Sequence, residues 1–343
     1  MKDSLLLSLN TLVPDLLEVA QKRYHLLSEI QKCAPIGRRV LADRLSWSER
    51  TLRTEIEFLK KEQLIQVSRE GMSLTSEGIH LLDELQNLLK EEVSMSEQEQ
   101  LLTQQLGIQK VVIVPGNDSE DVKVYEQFGP VLTGQLHRTL RKKENIIAVL
   151  GGSTLRSTAE FMQAIPSHYP LCFVSGRGAL GNETEWQANV ICERMAQKVG
   201  GSYLPLYVPE SIRKETCQSL QKEPSIQRIL KLLQQADCVI HGIGDAISMA
   251  SLREMDENEI NFLKKEKAVA ESFGCFYNAR GEVIYQLPRL GLLREDLNHI
   301  PLIYAVAGGV KKAEAICGYM KQAPKQTCLI TDQSAADCIQ QLN

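Results

Sequence analysis

From Lys110 onward the chain alternates short apolar runs with amphipathic stretches. The runs are "VVIV", "IIAVL", "LCFV", "YLPLYV", "CVI", "LIYAVA" and "CLIT". Apolar runs of this length, bounded by turn residues, read as buried strands, and the stretches between them carry helical periodicity. Strands that alternate with helices build a mostly parallel sheet covered by helices on both faces. The runs are also far too short to span a bilayer, so no membrane segment is expected. The expected fold of this part is a Rossmann-like α/β domain.

The first ninety residues follow a different rule. The whole chain carries a net charge of −4, yet ten basic residues face five acidic ones between Lys22 and Lys61. Such a local excess is the footprint of a module that meets a polyanion. The stretch "LADRLSWSERTLRTEIEFLKKE" holds Arg44, Arg50, Arg53, Lys60 and Lys61. Val40, Leu41 and Leu45 recur at helical spacing, and Leu52, Ile56 and Leu59 do so after them. Ser48 is the expected N-cap of the second helix, with Ser46 and Glu49 as an alternative capping box. Two helices joined by so short a turn cross steeply, with the small Ala42 at the crossing, which is the helix-turn-helix unit. The outward face of the second helix carries Arg50, Thr51, Arg53, Thr54 and Glu57, side chains able to reach phosphates and base edges in the major groove. Arg38, Arg39 and Ser48 complete the expected DNA-binding set. Two β-rich pieces, Leu64–Val67 and Met72–Thr75, flank Gly71 and read as a wing, and Leu26, Leu27 and Ile30 supply a supporting helix. Trp47 is expected to pack against the turn.

Ile79–Leu89 reads as a leucine-rich helix, which either packs within the chain or joins two chains. The polar stretch "KEEVSMSEQEQ" follows. The expected organisation is a winged helix-turn-helix domain over residues 1–90, a linker at 91–100 and a larger domain over 101–343. Nine scattered cysteines include no C-x-x-C pair, which argues against zinc and against a disulfide framework. Cys172, Cys238 and Cys328 fall in strand runs, as small hydrophobes do. The N-terminus has Asp3 and Leu5–Leu7 but no basic leader and no small-residue cleavage site, so a cytoplasmic protein is expected.

Four of the strand runs end in glycine-containing segments: Gly151–Thr154, Gly176–Gly181, Gly242–Asp245 and Gly308–Lys312. Ligands of open α/β sheets bind just beyond the carboxyl ends of the strands. A single glycine after a strand is ordinary turn chemistry. Four at equivalent positions, carrying Ser153, Thr154, Arg177, Lys311 and Lys312, describe an anion cage. Glycines admit the backbone N–H groups, a helix N-terminus adds its dipole, and hydroxyls and cations complete the shell. The deduced ligand is a phosphorylated small molecule. "GRGALG" does not have the dinucleotide spacing, and no cofactor is expected.

The segments "KVVIVPGN", "AVLGGST", "SGRGALG", "WQANVICERMA", "VIHGIGDA", "AVAESFG", "FYNARGEV" and "AVAGGVKKAEAI" resemble the SorC family of sugar-responsive transcriptional repressors, and the likeness runs through both domains. The resemblance implies a repressor of glycolytic genes. Its larger domain would be similar to the glucosamine-6-phosphate deaminase and ribose-5-phosphate isomerase fold and would bind fructose 1,6-bisphosphate. Carried over by position, it places Gly152, Ser153 and Thr154 on one phosphate with Lys312 nearby. Arg177, Gln187 and Arg253 join the set, and Glu271 would suit sugar hydroxyls. The implied partners are operator DNA, the sugar effector and further copies of the chain in a dimer or tetramer.

The rival reading is an active sugar-phosphate isomerase or deaminase fused to a DNA-binding domain. Such enzymes need a positioned acid–base pair, and the deaminase-like ones carry Asp-Gly-His at their "GIG" loop. Here "HGIGDAISM" keeps Asp245 without Gly-His after it, and His241 at the strand end reads as a packed residue. The expectation is a sensor, not an enzyme, with no catalytic residue and no metal ligand.

Overall fold

The computed structural model describes residues 14–45, 47–116, 122–140, 143–165, 170–179, 184–209 and 212–342. The chain divides into two compact units, Met1–Glu97 and Gln98–Asn343.

The first unit contains helices α1 (Pro14–Cys33), α2 (Arg38–Leu45) and α3 (Glu49–Lys61), then strands β1 (Ile65–Val67) and β2 (Met72–Leu74). Helix α3 starts where it does because the Ser48 side chain accepts the Thr51 N–H at 3.1 Å, satisfying one of the orphan donors of the first turn. Glu49 in the first turn and Lys60 and Lys61 in the last complement the helix dipole. Leu52, Ile56 and Leu59 fall on one side and are buried. They share a core with Leu26, Leu27 and Ile30 of α1, Leu41, Ala42 and Leu45 of α2, and Ile65, Met72 and Leu74 of the hairpin. Each such leucine or isoleucine contributes about 1.5–3 kcal/mol of burial. Val40 departs from expectation: it is 56% exposed, and the inward stripe of α2 is Leu41, Ala42 and Leu45. Ser46, and with it the alternative capping box, lies outside the described residues. The hairpin is antiparallel with Ile65 opposite Leu74 and Val67 opposite Met72, and Ile36 bridges Met72.

Helix α4 runs Ser76–Leu106, 31 residues without interruption. The helix expected to end at Leu89, before a linker at 91–100, therefore continues through that stretch. "KEEVSMSEQEQ" contains no Gly or Pro and is rich in good helix formers, so its polarity alone does not break the helix.

The second unit is built on a seven-stranded sheet of β3 (Lys110–Val114), β4 (Asn145–Val149), β5 (Leu171–Ser175), β6 (Ser202–Leu204), β7 (Cys238–Gly242), β12 (Leu302–Val306) and β13 (Thr327–Asp332). These are the seven apolar runs of the sequence. All their pairings are parallel, in the order β3-β13-β12-β7-β4-β5-β6. Strand β13 is buried along its whole length and β7 along all but its last residue, because the sheet is covered on both faces. The edge strand β3 is finished by the last turns of α4. There the Glu99 carboxylate accepts the Ile113 N–H at 2.7 Å and Thr103 Oγ1 accepts the Val111 N–H at 2.9 Å. Free edge donors are thereby satisfied.

A second, antiparallel sheet went unread in the sequence. It comprises β8 (Gly244–Asp245), β9 (Ala268–Ser272), β10 (Cys275–Asn278) and β11 (Val283–Gln286), ordered β11-β10-β9-β8. "GIGD" is therefore not a simple loop: Gly242 ends β7, and Gly244–Asp245 pairs with Ala270–Glu271 of β9. Strand β4 lies between β5 and β7, and the chain leaves it in one direction and returns on the other side. The crevice beyond the carboxyl ends of β4 and β7 is the topological switch point, where such sheets take ligands.

Among the described residues, no helix is long and apolar enough to cross a membrane, and no cluster of residues is arranged to hold a metal. All nine cysteines are free thiols.

Candidate functional site

On the first unit, the face of α3 opposite its buried stripe exposes Arg50, Arg53, Thr54 and Glu57, with Thr51 half-buried. Arg53 Nε holds Glu57 at 2.9 Å, and Thr54 Oγ1 donates to the Arg50 carbonyl at 3.1 Å. Arg38 and Arg39 stand exposed on the first turn of α2, and Arg39 lies 4.0 Å from Glu49. The two helix starts thus bring Arg39 close to the first turn of α3. Trp47 packs half-buried against the core, with Lys22 Nζ 5.0 Å above its ring.

In the second unit, β4 delivers Gly151 and Gly152 to the start of α6 (Ser153–Phe161), Gly152 being the N-cap at φ 133°. That backbone conformation is essentially restricted to glycine. Thr154 is buried in the first turn, and Lys312 Nζ donates to its Oγ1 at 2.8 Å. Lys312 arrives on a short turn after β12, which Asp332 pins by accepting the Gly309 N–H. Asp332 itself is fixed at the end of β13 by the Ala335 N–H at 2.9 Å and by the Ser334 hydroxyl. Burial pushes the Lys312 amine pKa down, while Asp332 and Asp245 act to keep it charged. Ser153 and Lys311 are exposed. A helix N-terminus, a hydroxyl and an ammonium that meet in this way are the chemistry an anion cradle requires.

A second group of predicted residues meets beside it. Arg177, Arg253 and Glu271 line one small cavity with Leu150, Gly151 and Gly242 at the switch point. Arg253 Nη2 donates to Glu271 Oε1 at 3.0 Å, and the two side chains are only 3% and 6% exposed. The same Oε1 accepts the Gly274 N–H at 2.8 Å. Arg177 is buried so closely over Gly151 that a Cβ built there would lie 2.3 Å from its Nη2. Gln187 is the N-cap residue of α7 (Ala188–Val199), and the carbonyl of the preceding Trp186 accepts the Gly152 N–H at 3.0 Å. Thr154 with Lys312 and Arg177 with Arg253 and Glu271 therefore meet on either side of Gly151–Gly152. Gly181 of "GRGALG" lies outside the described residues. Asp332 and Arg289 lie outside every segment singled out in the sequence, and Arg289 lines the cavity together with Ser272 of "AVAESFG".

The groups of the rival enzymatic reading are occupied otherwise. His241 Nδ1 lies 3.0 Å from the Gly242 carbonyl, which can only accept, so the ring proton sits there. Nε2 faces the Tyr319 hydroxyl at 3.4 Å, and burial pushes the pKa down to about 4. The ring is a neutral, packed group. Asp245 caps α10 (Ala246–Leu252) by accepting the Ser248 N–H at 2.8 Å.

Known proteins agree with this division. Residues 19–89 match the family described as "CggR N-terminal DNA binding domain", and residues 90–340 match "Putative sugar-binding domain". The central glycolytic genes regulator of Bacillus subtilis is 38% identical over 95% of both chains, and that of Priestia megaterium is 40% identical over the same shares. A solved structure described as "putative SorC family transcriptional regulator from Enterococcus faecalis" is 46% identical. It covers 71% of this chain and 99% of its own, with a TM-score of 0.68. The chain belongs to the SorC family of transcriptional regulators. As a SorC family member it pairs an N-terminal DNA-binding domain with a C-terminal sugar-binding α/β domain. Its family and the relatives named above are transcriptional regulators, not enzymes.

Proposed function

We propose that the protein is a cytoplasmic repressor of glycolytic genes, released from its operator by a phosphorylated sugar, most specifically fructose 1,6-bisphosphate. The carrying observation is that two groups of polar and cationic side chains meet on either side of Gly151–Gly152. One contains Gly152, Ser153, Thr154 and Lys312. The other contains Arg177 and Arg253, which line one cavity with Glu271; Glu271 would take sugar hydroxyls, and Gln187 at the start of α7 joins the set by its place in the sequence. A bisphosphate has two dianionic ends, and burying either without donors is costly, so two sets suit one such ligand. The names of the two glycolytic regulators support glycolytic genes as the targets.

In this reading the first unit is a winged helix-turn-helix of which α3 is the recognition helix. Arg50, Thr51, Arg53 and Thr54 meet the operator, with Ser48, Arg38 and Arg39 at the helix starts, and the β1–β2 hairpin is the wing. A dimer or tetramer presents several such helices to a repeated operator, so each weak module gains from its neighbours. The larger domain shares its plan with sugar-phosphate isomerases and deaminases and uses it to sense. The effector lifts repression to the degree that it prefers the form unable to hold DNA.

Thermal unfolding of the full chain against a panel of sugar phosphates, followed by operator release with each stabilising sugar, tests the proposal. Fructose 1,6-bisphosphate is expected to raise the midpoint most, because ligand that binds only the folded state adds stability, and to release the operator. A panel in which no sugar phosphate moves either readout overturns it.

A further inference from the structure

The hairpin between β9 and β10 turns on two residues, Phe273 and Gly274, with Ser272 opposite Cys275 across the pair. Both central residues have positive φ, 55° at Phe273 and 74° at Gly274, as a type I′ hairpin turn requires. Asn, Asp and Gly suit such a turn, whereas a phenylalanine there holds its backbone against its own steric preference. Strain of this kind persists only where surrounding contacts over-determine it, and it gathers at ligand clamps. The turn has that setting here: Ser272 and Phe273 line the cavity that holds Arg253 and Glu271.

The turn is tied down on both sides. Phe273 is 2% exposed, and its ring packs on the imidazole of His241 with centroids 4.7 Å apart. His241 is wholly buried in β7 and meets Tyr319 edge-on at 5.2 Å, so the ring of Phe273 rests on a fixed surface. Ser272 Oγ donates to the Gly242 carbonyl at 3.1 Å, joining the start of the turn to the end of β7. Gly274 accepts the Leu287 N–H at 2.9 Å through its carbonyl. Its own N–H donates to Glu271 Oε1 at 2.8 Å. The peptide between Phe273 and Gly274 carries that donor, so its direction depends on both residues keeping the left-handed form. The other donor to Oε1, Arg253 Nη2 at 3.0 Å, comes from the end of α10 and is independent of the turn.

We infer that Phe273 is a positioning residue: anchored on His241, it holds the strained turn whose Gly274 N–H orients the Glu271 carboxylate for the effector. The inference rests on the reading of Glu271 as the acceptor of sugar hydroxyls. Phe273 acts through Glu271 and not on the ligand itself.

A double-mutant cycle separates this role from plain packing. Fructose 1,6-bisphosphate is titrated calorimetrically into the full chain as wild type, Phe273→Gly, Glu271→Gln and the double variant. Glycine accepts the left-handed backbone, so Phe273→Gly removes the anchor without forbidding the turn. Glu271→Gln is expected to weaken the sugar by about tenfold or more, as loss of a charged acceptor does. Phe273→Gly should weaken it by about tenfold when Glu271 is present and by less than about twofold when Glu271 is already glutamine. Phe273→Leu, which keeps part of the contact with His241, carries the same cycle if the glycine variant does not fold. A merely structural role would lower affinity by one factor in both backgrounds. That result, or an unchanged affinity in Phe273→Gly, overturns the inference and leaves the proposed function standing. Glu271→Gln without effect overturns the reading of Glu271 and this inference with it. A wild type that does not take the sugar overturns the effector reading as a whole.

Discussion

Lys312 Nζ donates to Thr154 Oγ1 at 2.8 Å, although 158 residues separate them in the chain. The contact joins the turn after β12 to the first turn of α6. One hydrogen bond therefore makes a single cradle from two of the four glycine-containing segments.

Removing that hydroxyl should weaken every phosphorylated sugar by a similar factor. Thr154→Ala deletes an acceptor for Lys312 and a donor for phosphate at a helix N-terminus. The expected loss is about 1–3 kcal/mol for fructose 1,6-bisphosphate and fructose 6-phosphate alike. Calorimetric titration of both sugars decides; a loss confined to one of them would place Thr154 at only one end of the ligand.

Gly151→Ala should act on Arg177. The new Cβ would stand 2.3 Å from Arg177 Nη2 and 2.5 Å from the Trp186 carbonyl, so the guanidinium must leave or the backbone must shift. Overpacking of this kind costs about 1–3 kcal/mol of stability. The second phosphate should lose more affinity than the first. Urea unfolding measures the stability, and titration with the two sugars measures the selectivity.

Arg53→Ala should leave the fold intact and cut operator affinity by about 1–3 kcal/mol. Arg53 is 70% exposed and pairs with Glu57 on the same face, a class of surface pair that contributes little to stability. Operator affinity in wild type should also fall log-linearly with salt, as phosphate contacts release counterions. A gel shift at several salt concentrations reads both effects, and a flat salt dependence would exclude α3 as a phosphate-contacting helix.

His241 should make stability fall on mild acidification. Its folded pKa, about 4, lies below the ordinary value of 6.5 because the ring is buried. Above about 6.5 the ring is neutral in both states and its full contribution is present. As pH falls from 6.5 toward 4 the unfolded chain takes up a proton that the folded chain refuses, and roughly 3 kcal/mol is lost by the lower limit. His241→Gln, which cannot titrate, should show a flatter decline of unfolding midpoint with pH than wild type. Parallel pH profiles for the two proteins would show that His241 is not the source.

What the sequence determined by itself was whatever local chemistry writes locally. The seven strands of the parallel sheet fall at the seven apolar runs; central strands such as β7 and β13 are apolar because both their faces are covered, while the edge strand β6 is largely exposed. Helix α3 was legible from Leu52, Ile56 and Leu59 at helical spacing and from Ser48, whose cap is made within three residues. Glycines after strands marked Gly151, Gly152 and the Lys312 turn, since turn and anion-cradle chemistry leave compositional traces. Other features were decided only when the chain closed on itself. The end of α4 is one: no Gly or Pro marks it, so the polar stretch after Leu89 looked like a linker while the backbone stayed helical to Leu106. The antiparallel sheet is another, because β8 is two residues long and exists through its pairing with β9. Arg289 is the plainest case. Nothing around it in sequence distinguishes it from any surface arginine, and its place in the cavity follows from backbone hydrogen bonds to Gly274 and Gly176, 13 and 116 residues away from the donors that reach them. Proximity of this kind is a property of the packed chain, set by which carbonyls the buried N–H groups must find.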